Sequence, residues 1–231
     1  MGIPVYRFRV VLMGDTGVGK SCLHWRYTTS AADQRLDTDH QSVTKTNCCH
    51  YRVRTLVFHD KLVTMELWDT PGCRRYHQLL MAMYYTRAPA AVMVVYDLTN
   101  YSSYQRAVEI VKQLRSGETT TATDTAAVGD GGSSDQVIVL VGNKLDLIET
   151  AGSCGSGPTG AADTNTGRWL RAVSRVEALE FAKQYRAVVM ETSGKCDINL
   201  DDLFAWMANR LADNCGHKTM VTMVCLLLYY Y

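Results

Sequence analysis

The sequence predicts an α/β protein whose mostly parallel, six-stranded sheet has one antiparallel strand and helices on both faces. The first indication is a glycine-rich turn, Gly14–Ser21, placed between an apolar run and a helical stretch. The second is a pair of continuous apolar runs, Ala90–Tyr96 and Gln136–Val141, which are typical of central strands covered on both faces. The third is the alternation of strand-like and helix-like segments, which is the pattern of a parallel α/β sheet.

The amino-terminal elements follow from hydrophobic patterning. Val5–Met13 reads as a strand, and a helix is expected from Gly19 to about Tyr27. Thr28–Cys49 lacks apolar periodicity and is expected to be a long polar loop. Tyr51–Phe58 and Leu62–Trp68 are strand-like on either side of a short polar turn, which predicts a hairpin and supplies the antiparallel strand.

The remaining elements complete the alternation. Helices are expected at Tyr101–Arg115 and Arg175–Tyr185, and the second follows Ser174, whose spacing to Glu177 predicts a capping box. Ala187–Glu191 gives a last strand. A closing helix is predicted by an apolar stripe at helical spacing, formed by Leu200, Leu203, Phe204, Met207 and Leu211.

The chain divides into one domain and a short tail. We assign residues 1–213 to the domain and 214–231 to the tail. Two segments, 116–135 and 150–167, are rich in Thr, Ala, Gly and Ser. Because they hold too few apolar residues to offset the entropy of ordering, we expect flexible surface insertions there.

Composition excludes several classes of protein. The 231 residues carry a net charge of +1, so no basic footprint for nucleic acid is present. The eight cysteines lack C-x-x-C spacing, which favours reduced thiols in the cytosol over a disulfide framework. Arg7 and Arg9 interrupt the first apolar residues, so no signal peptide is predicted and the expected location is cytoplasmic.

The glycine-rich turn predicts a nucleoside triphosphate site. Gly14, Gly17 and Gly19 let the backbone curl so that successive N–H groups point at phosphate oxygens. The following helix adds the positive end of its dipole. Lys20 is then expected to reach the β- and γ-phosphates, and the Ser21 hydroxyl to ligate Mg²⁺.

Three further motifs follow the predicted strands in order. Asp69-Thr70-Pro71-Gly72 offers a carboxylate for a Mg²⁺ water and a Gly72 N–H for the γ-phosphate, and Glu191–Lys195 offers backbone N–H groups to a guanine O6. In Asn143-Lys144-Leu145-Asp146, the Asp146 carboxylate can accept from guanine N1–H and the 2-amino group. Adenine would leave that carboxylate mispaired, at a cost of roughly 1–3 kcal/mol. Because each motif ends a strand, all are expected at one ligand crevice.

The chain therefore resembles the small GTPases of the Ras superfamily and, within it, the Rab family. The Rab character is carried by Leu67–Thr70, Arg75-Tyr76, Tyr84–Ala88 and Val95–Thr99, and the resemblance covers about Tyr6 to Leu211 apart from the insertions. It implies a P-loop G-domain that binds GTP, GDP and Mg²⁺ and acts as a switch in vesicle trafficking. It also implies three kinds of protein partner, namely an exchange factor, a GTPase-activating protein and effectors.

The motifs and the resemblance together give the expected site residues. The expected nucleotide contacts are Gly14, Asp15, Thr16, Gly17, Val18, Gly19, Lys20, Ser21, Cys22, Asp69, Gly72, Asn143, Lys144, Asp146, Leu147, Ser193, Gly194 and Lys195. The expected metal ligands are Ser21, Asp69 and a switch-I threonine, which the resemblance implies and which counting back from Trp68 places at Thr46, with Thr44 as the rival. The expected catalytic residues are Lys20, Thr46, Gly72 and Cys73.

Cys73 is the sharpest departure from the family pattern. It stands where the family has a glutamine that orients the attacking water. A thiol is a weak and short hydrogen-bonding group, so slow hydrolysis is expected. Two functions stay open on this basis: a GTPase that cycles slowly, and a binding module that depends on guanine nucleotide and hydrolyses little or none.

Other departures concern nucleotide retention, effectors and the tail. Ala31 and Ala32 stand where the family stacks an aromatic ring on guanine, and Tyr27 is expected in the core instead, so fast nucleotide exchange is predicted. Asn47–Tyr51 does not match the family's effector sequence, and its adjacent thiols are expected to be exposed rather than metal ligands. The Met220–Tyr231 stretch has no C-a-a-X box or cysteine pair and is too short to span a bilayer. An interfacial contact, a palmitoylated Cys225 and, by default, a stretch without a role stay open, and so does peripheral residence on the cytosolic face of endomembranes.

Overall fold

The computed structural model describes residues 3–29, 46–73, 89–120, 136–149 and 170–216. Several predictions fall outside these ranges: those on Ala31, Ala32, Thr44, Arg75-Tyr76, Tyr84–Ala88, the 150–167 insertion, and most of the Thr28–Cys49 loop, of the 116–135 insertion and of the tail. The elements are β1 Val5–Gly14, α1 Lys20–Thr28, β2 His50–Val57, β3 Leu62–Asp69, β4 Ala91–Asp97, α2 Tyr101–Thr120, β5 Val137–Asn143, α3 Asp146–Glu149, α4 Arg175–Gln184, β6 Ala187–Glu191 and α5 Leu200–Gly216.

The sheet confirms the predicted fold class. Its six strands lie in the order β2-β3-β1-β4-β5-β6. β2 pairs antiparallel with β3, and all other neighbours pair in parallel. Every residue of β4 and β5 is buried, as their uninterrupted apolar sequences predicted.

Hydrophobic cores lie on both faces of the sheet. On one face α1 and α5 pack against inward residues of β1, β3, β4 and β5, and the predicted stripe of α5 is fully part of this core. Tyr27 of α1 is 2% exposed and stacks on Phe204 of α5 with ring centroids 3.5 Å apart, so its predicted place in the core is confirmed. On the other face α2 and α4 cover β4 and β5.

Three local features differ from the sequence expectations. α2 continues to Thr120, five residues into the segment expected to be a flexible insertion, because extending an existing helix adds one hydrogen bond per residue fixed. The capping box before α4 does not form: the Ser174 side chain makes no cap bond, and Glu177 accepts from the Tyr101 hydroxyl at 2.8 Å instead. The one-turn helix α3 was not predicted, because four residues are too few for a periodic pattern.

The strand register brings the predicted motifs to one edge of the sheet. Leu12 is level with Asp69, Asp97 with Asn143, and Gly142 with Glu191. This edge is formed by the carboxyl ends of the parallel strands, where α/β sheets bind their ligands. No helix in the described ranges is both long and apolar enough to cross a membrane.

Candidate functional site

The phosphate loop, Gly14–Ser21, has three glycines in a backbone conformation that disfavours other residues. Gly14 has φ of +141°, Gly17 of +79° and Gly19 of +97°, and all three values lie in a region that other residues rarely adopt. A Cβ at Gly14 would lie 2.2 Å from the Val95 carbonyl oxygen, and one at Gly19 would lie 2.2 Å from Asn143 Nδ2. Close packing beneath the loop therefore fixes its path, whereas a Cβ at Gly17 would meet nothing within 4 Å.

Lys20 is the first residue of α1, and its side chain extends back over the phosphate loop. Its Nζ donates to the carbonyls of Gly14 at 3.0 Å and Asp15 at 2.7 Å. The side chain is 5% exposed, and burial lowers the pKa of Lys20 to about 8 although the charges of Asp69 and Asp15 oppose the shift. The ammonium is thus held where added negative charge would stabilise it.

Ser21, Asp69 and Thr46 bring hydroxyl and carboxylate oxygens together. Ser21 Oγ donates to Asp69 Oδ2 across 2.6 Å and lies 2.7 Å from Thr46 Oγ1. Asp69 is fully buried, and its Oδ1 has no hydrogen-bond partner within the described part of the chain. An unpartnered buried carboxylate oxygen is costly, and oxygen ligands are those that Mg²⁺ prefers. These residues therefore fit a magnesium ion, and Thr46, the threonine expected from counting back from Trp68, lies beside Ser21.

The segment after β3 packs directly on the phosphate loop. A Cβ at Gly72 would lie 2.6 Å from the Asp15 carbonyl and from the Thr16 backbone nitrogen. Pro71 before it is buried, whereas Cys73 after it is exposed. The glycine therefore allows the two loops to touch. The Cys73 thiol lies at the surface beside them.

Asn143 at the end of β5 joins three segments of the site. Its Nδ2 donates to the Val18 carbonyl at 2.8 Å, and its Oδ1 accepts from the Gly194 N–H at 3.0 Å. The Thr192 hydroxyl also approaches Oδ1, at 3.5 Å. The side chain is buried, so these bonds tie the phosphate loop and the 192–196 loop to the sheet.

Two charged side chains, Lys144 and Asp146, follow Asn143, and each has a partner within the protein. Asp146 is buried, and its Oδ1 accepts from the Ser193 hydroxyl at 2.5 Å. Ser193 Oγ in turn accepts from the Cys196 N–H at 3.0 Å. Lys144 has φ of +68° and pairs through Nζ with Asp97 Oδ2 at 2.7 Å. The bond from Ser193 therefore fixes the direction of the Asp146 carboxylate.

The other predicted contacts lie around these residues. Leu147 is half-buried on α3, and Cys22 and Lys195 are exposed. A Cβ at Gly194 would lie 3.3 Å from Cys22 Sγ, so α1 passes close to the 192–196 loop.

Three residues that support the site were not predicted from the sequence. Arg26 of α1 donates to the Gly194 and Lys195 carbonyls. Asp97 pairs with Lys144, and Arg171 forms a two-bond ion pair with Glu191 at 2.7 and 2.9 Å. Asp97 could have been found, because it ends a strand at the same edge as the motifs. Arg26 and Arg171 carry no such signal, since their partners are distant in the sequence.

The Cys48-Cys49-His50 segment shows no metal site. Cys48 is exposed, as predicted, and its Sγ lies 3.5 Å from His50 Nε2. Cys49 is half-buried, so the predicted exposure of its thiol is wrong. The His50 Nδ1 lies 4.0 Å from Asp69 Oδ2. Within the described ranges, no group of three or more Cys, His, Asp or Glu side chains is arranged to hold a metal.

Comparison with known proteins places the chain among named relatives. The family model described as the Ras family matches residues 9–213. Ras-related protein Rab-5A of Dictyostelium discoideum is 32% identical over 207 residues, which cover 90% of this chain and 82% of the relative. Ras-related protein Rab5A of Oryza sativa subsp. japonica is 31% identical over 210 residues, covering 91% and 82%. Ras-related protein RABA1i of Arabidopsis thaliana is 33% identical over 199 residues, covering 86% and 72%.

Proposed function

The chain belongs to the Ras family and is a Rab-like small GTPase, and from this premise we propose that it is a guanine-nucleotide switch with slow GTP hydrolysis. The observation that carries the proposal is the buried Asp69 carboxylate, which accepts from Ser21 and keeps one oxygen without a partner in the described ranges. Such a carboxylate suits a Mg²⁺–phosphate complex.

The phosphate end of the site is assigned first. Backbone N–H groups of the phosphate loop and the Lys20 ammonium would bind the β- and γ-phosphates, because Lys20 already lies over the loop. Ser21, Asp69 and Thr46 would hold Mg²⁺, which supplies charge to the phosphate oxygens when bound. Gly72, in contact with the phosphate loop, would present its N–H to the γ-phosphate.

The base end of the site is assigned to β5 and the 192–196 loop. Asp146 would accept from the guanine N1–H and 2-amino groups, and its bond from the Ser193 hydroxyl supports it in that orientation. Of the predicted contacts Ser193, Gly194 and Lys195, the first two donate their N–H groups within the protein, so Lys195 would donate its N–H to the guanine O6. Asp146 therefore selects guanine over adenine by roughly the cost of a mispaired buried group, about 1–3 kcal/mol.

We attribute the slow hydrolysis to Cys73. Its side chain is exposed beside Gly72 and is too short and too weak a hydrogen-bonding group to orient an attacking water. Charge stabilisation by Lys20 and Mg²⁺ remains, so hydrolysis is slowed rather than abolished. The same residue favours the second candidate function, a binding module that remains bound to GTP.

The partners and location follow from the family. We assign the protein a role in vesicle trafficking with an exchange factor, a GTPase-activating protein and effectors as partners. We place it peripherally on the cytosolic face of endomembranes.

The experiment is chromatography of the nucleotide released by denaturation from freshly purified protein. GDP supports a switch that turns over despite Cys73, and GTP supports the binding module. Adenine nucleotide or no nucleotide, together with failure to bind added GDP and Mg²⁺, overturns the proposal.

A further inference from the structure

Arg26 lies on α1, about one and two-thirds turns after Lys20, and reaches the loop that follows β6. Its Nε donates to the Gly194 carbonyl at 3.2 Å and its Nη2 to the Lys195 carbonyl at 2.5 Å. A guanidinium presents its donors in a rigid plane, so bonding to two successive carbonyls fixes the backbone between them.

The N–H groups of this loop are almost all committed within the protein. Among the residues that the structure describes, Lys195 is the residue of the 192–196 loop whose N–H has no acceptor. The others donate as follows: Thr192 to Gly142 O at 2.8 Å, Ser193 to Ile198 O at 3.1 Å, Gly194 to Asn143 Oδ1 at 3.0 Å and Cys196 to Ser193 Oγ at 3.0 Å. The Lys195 N–H is therefore the loop's available donor.

The Gly194 carbonyl and the Lys195 N–H belong to the same peptide unit. The described peptide bonds include no cis bond, so this carbonyl and this N–H point in opposite directions within one plane. A peptide that follows glycine rotates easily unless something holds it. By bonding to the Gly194 carbonyl, Arg26 sets the direction of the Lys195 N–H.

We infer that Arg26 is a positioning residue for base recognition: it orients the Lys195 N–H toward the guanine O6. The inference rests on the proposed function, in which this loop binds O6. Arg26 itself touches no nucleotide atom in this assignment. It links α1, which starts at the phosphate loop, to the loop that reads the base.

The test compares dissociation rates of GDP and of two diphosphates with altered bases. GDP carries O6, the N1–H and the 2-amino group, the 2-aminopurine analogue lacks O6 and with it the N1–H, and IDP lacks only the 2-amino group. Because the missing N1–H affects wild type and variant alike, the ratio of the variant rate to the wild-type rate for each diphosphate reports on O6. In Arg26→Ala the GDP dissociation rate should rise about 3- to 10-fold, the size of one hydrogen bond, and the rate for the O6-lacking analogue should change little. The ratio of IDP to GDP rates should stay the same, because Asp146 reads the 2-amino group separately.

Arg115 provides a matched control. It also donates from Nε and Nη2 to two successive carbonyls, those of Tyr185 and Arg186, both at 3.0 Å. Arg115→Ala should leave the dissociation rate of each of the three diphosphates at its wild-type value. Arg26→Lys keeps the charge but lacks the planar fork, so it should fall between wild type and Arg26→Ala and serves if Arg26→Ala folds poorly.

The outcomes separate the inference from the proposed function. Equal acceleration of GDP and the O6-lacking analogue in Arg26→Ala, or in Arg26→Lys if that variant must be used, means a general structural role and overturns the inference. A wild-type protein that releases GDP and the O6-lacking analogue at one rate also overturns it. If wild type binds none of the three, the proposed function itself fails.

Discussion

Asn143 Nδ2 donates to the Val18 carbonyl across 2.8 Å, which joins the motif at the end of β5 to the phosphate loop. The same amide accepts from the Gly194 N–H through its oxygen. One buried side chain thus holds the phosphate end and the base end of the site at a fixed separation. Binding at either end is expected to depend on it.

The first prediction concerns this amide. Asn143→Ala leaves the Val18 carbonyl and the Gly194 N–H without their partner, at about 1–3 kcal/mol for each buried group. We expect a lower melting temperature and faster GDP release. Asn100→Ala is the control for GDP release, because Asn100 Oδ1 accepts from the N–H groups of Ser102 and Ser103 at the start of α2, so its loss removes a helix cap and leaves the release rate unchanged. A GDP release rate equal to that of the control would contradict the prediction.

The second prediction concerns the core beneath α1. Phe204→Ala removes the ring that stacks on Tyr27 at 3.5 Å and should lower the free energy of unfolding by about 3–5 kcal/mol. Denaturant unfolding at saturating GDP measures the change. Val57→Ala is the control, since Val57 is 79% exposed and its change should stay within about 0.5 kcal/mol. Similar losses for both variants would contradict the packing described here.

The third prediction concerns acid stability. His24 is buried against the Leu67 carbonyl at 3.2 Å, and burial lowers the pKa of its ring. The unfolded chain therefore binds a proton near pH 6.5 that the folded chain does not, so stability is lost as pH falls below that value. In His24→Gln this contribution to the acid slope of the unfolding free energy should vanish. His59 is exposed, so His59→Gln should keep the wild-type dependence of the unfolding free energy on pH. If that dependence is unchanged in both variants, His24 is not its source.

The fourth prediction concerns Lys20 and nucleotide affinity. Burial lowers the pKa of Lys20 to about 8 in the protein without nucleotide, and bound phosphates favour the charged form. Raising the pH from 7 to 8.5 should therefore weaken GDP binding about fourfold, because a proton must be taken up on binding. Titration calorimetry in two buffers of different ionisation enthalpy measures that proton. Lys20→Met should bind weakly with no such dependence, and a Kd flat with pH in wild type would contradict the prediction.

Local sequence determined what could be predicted. The apolar runs of β4 and β5 and the stripe containing Phe204 identify elements because burial constrains residue type over short spans. Lys20 and Ser21 follow from motif spacing, since a phosphate needs donors from consecutive residues. Most of the site's expected residues are of this kind.

Long-range contacts could not be predicted. Arg26 and Gly194 are 168 residues apart, and nothing in the helix around Arg26 sets it apart from an ordinary surface arginine. Ser174 shows the converse: a capping pattern was present, but Glu177 accepts from Tyr101 of another helix instead. Competing tertiary contacts decide such cases, and one sequence does not reveal them.

Single-turnover GTP hydrolysis by wild type and Cys73→Gln shows directly whether Cys73 slows hydrolysis. We expect slow hydrolysis in wild type and an acceleration of at least about tenfold in Cys73→Gln, because the glutamine amide can orient the attacking water. Cys73→Ala should match wild type, since the thiol contributes nothing to that orientation. Hydrolysis by wild type that equals or exceeds that of Cys73→Gln would contradict the account.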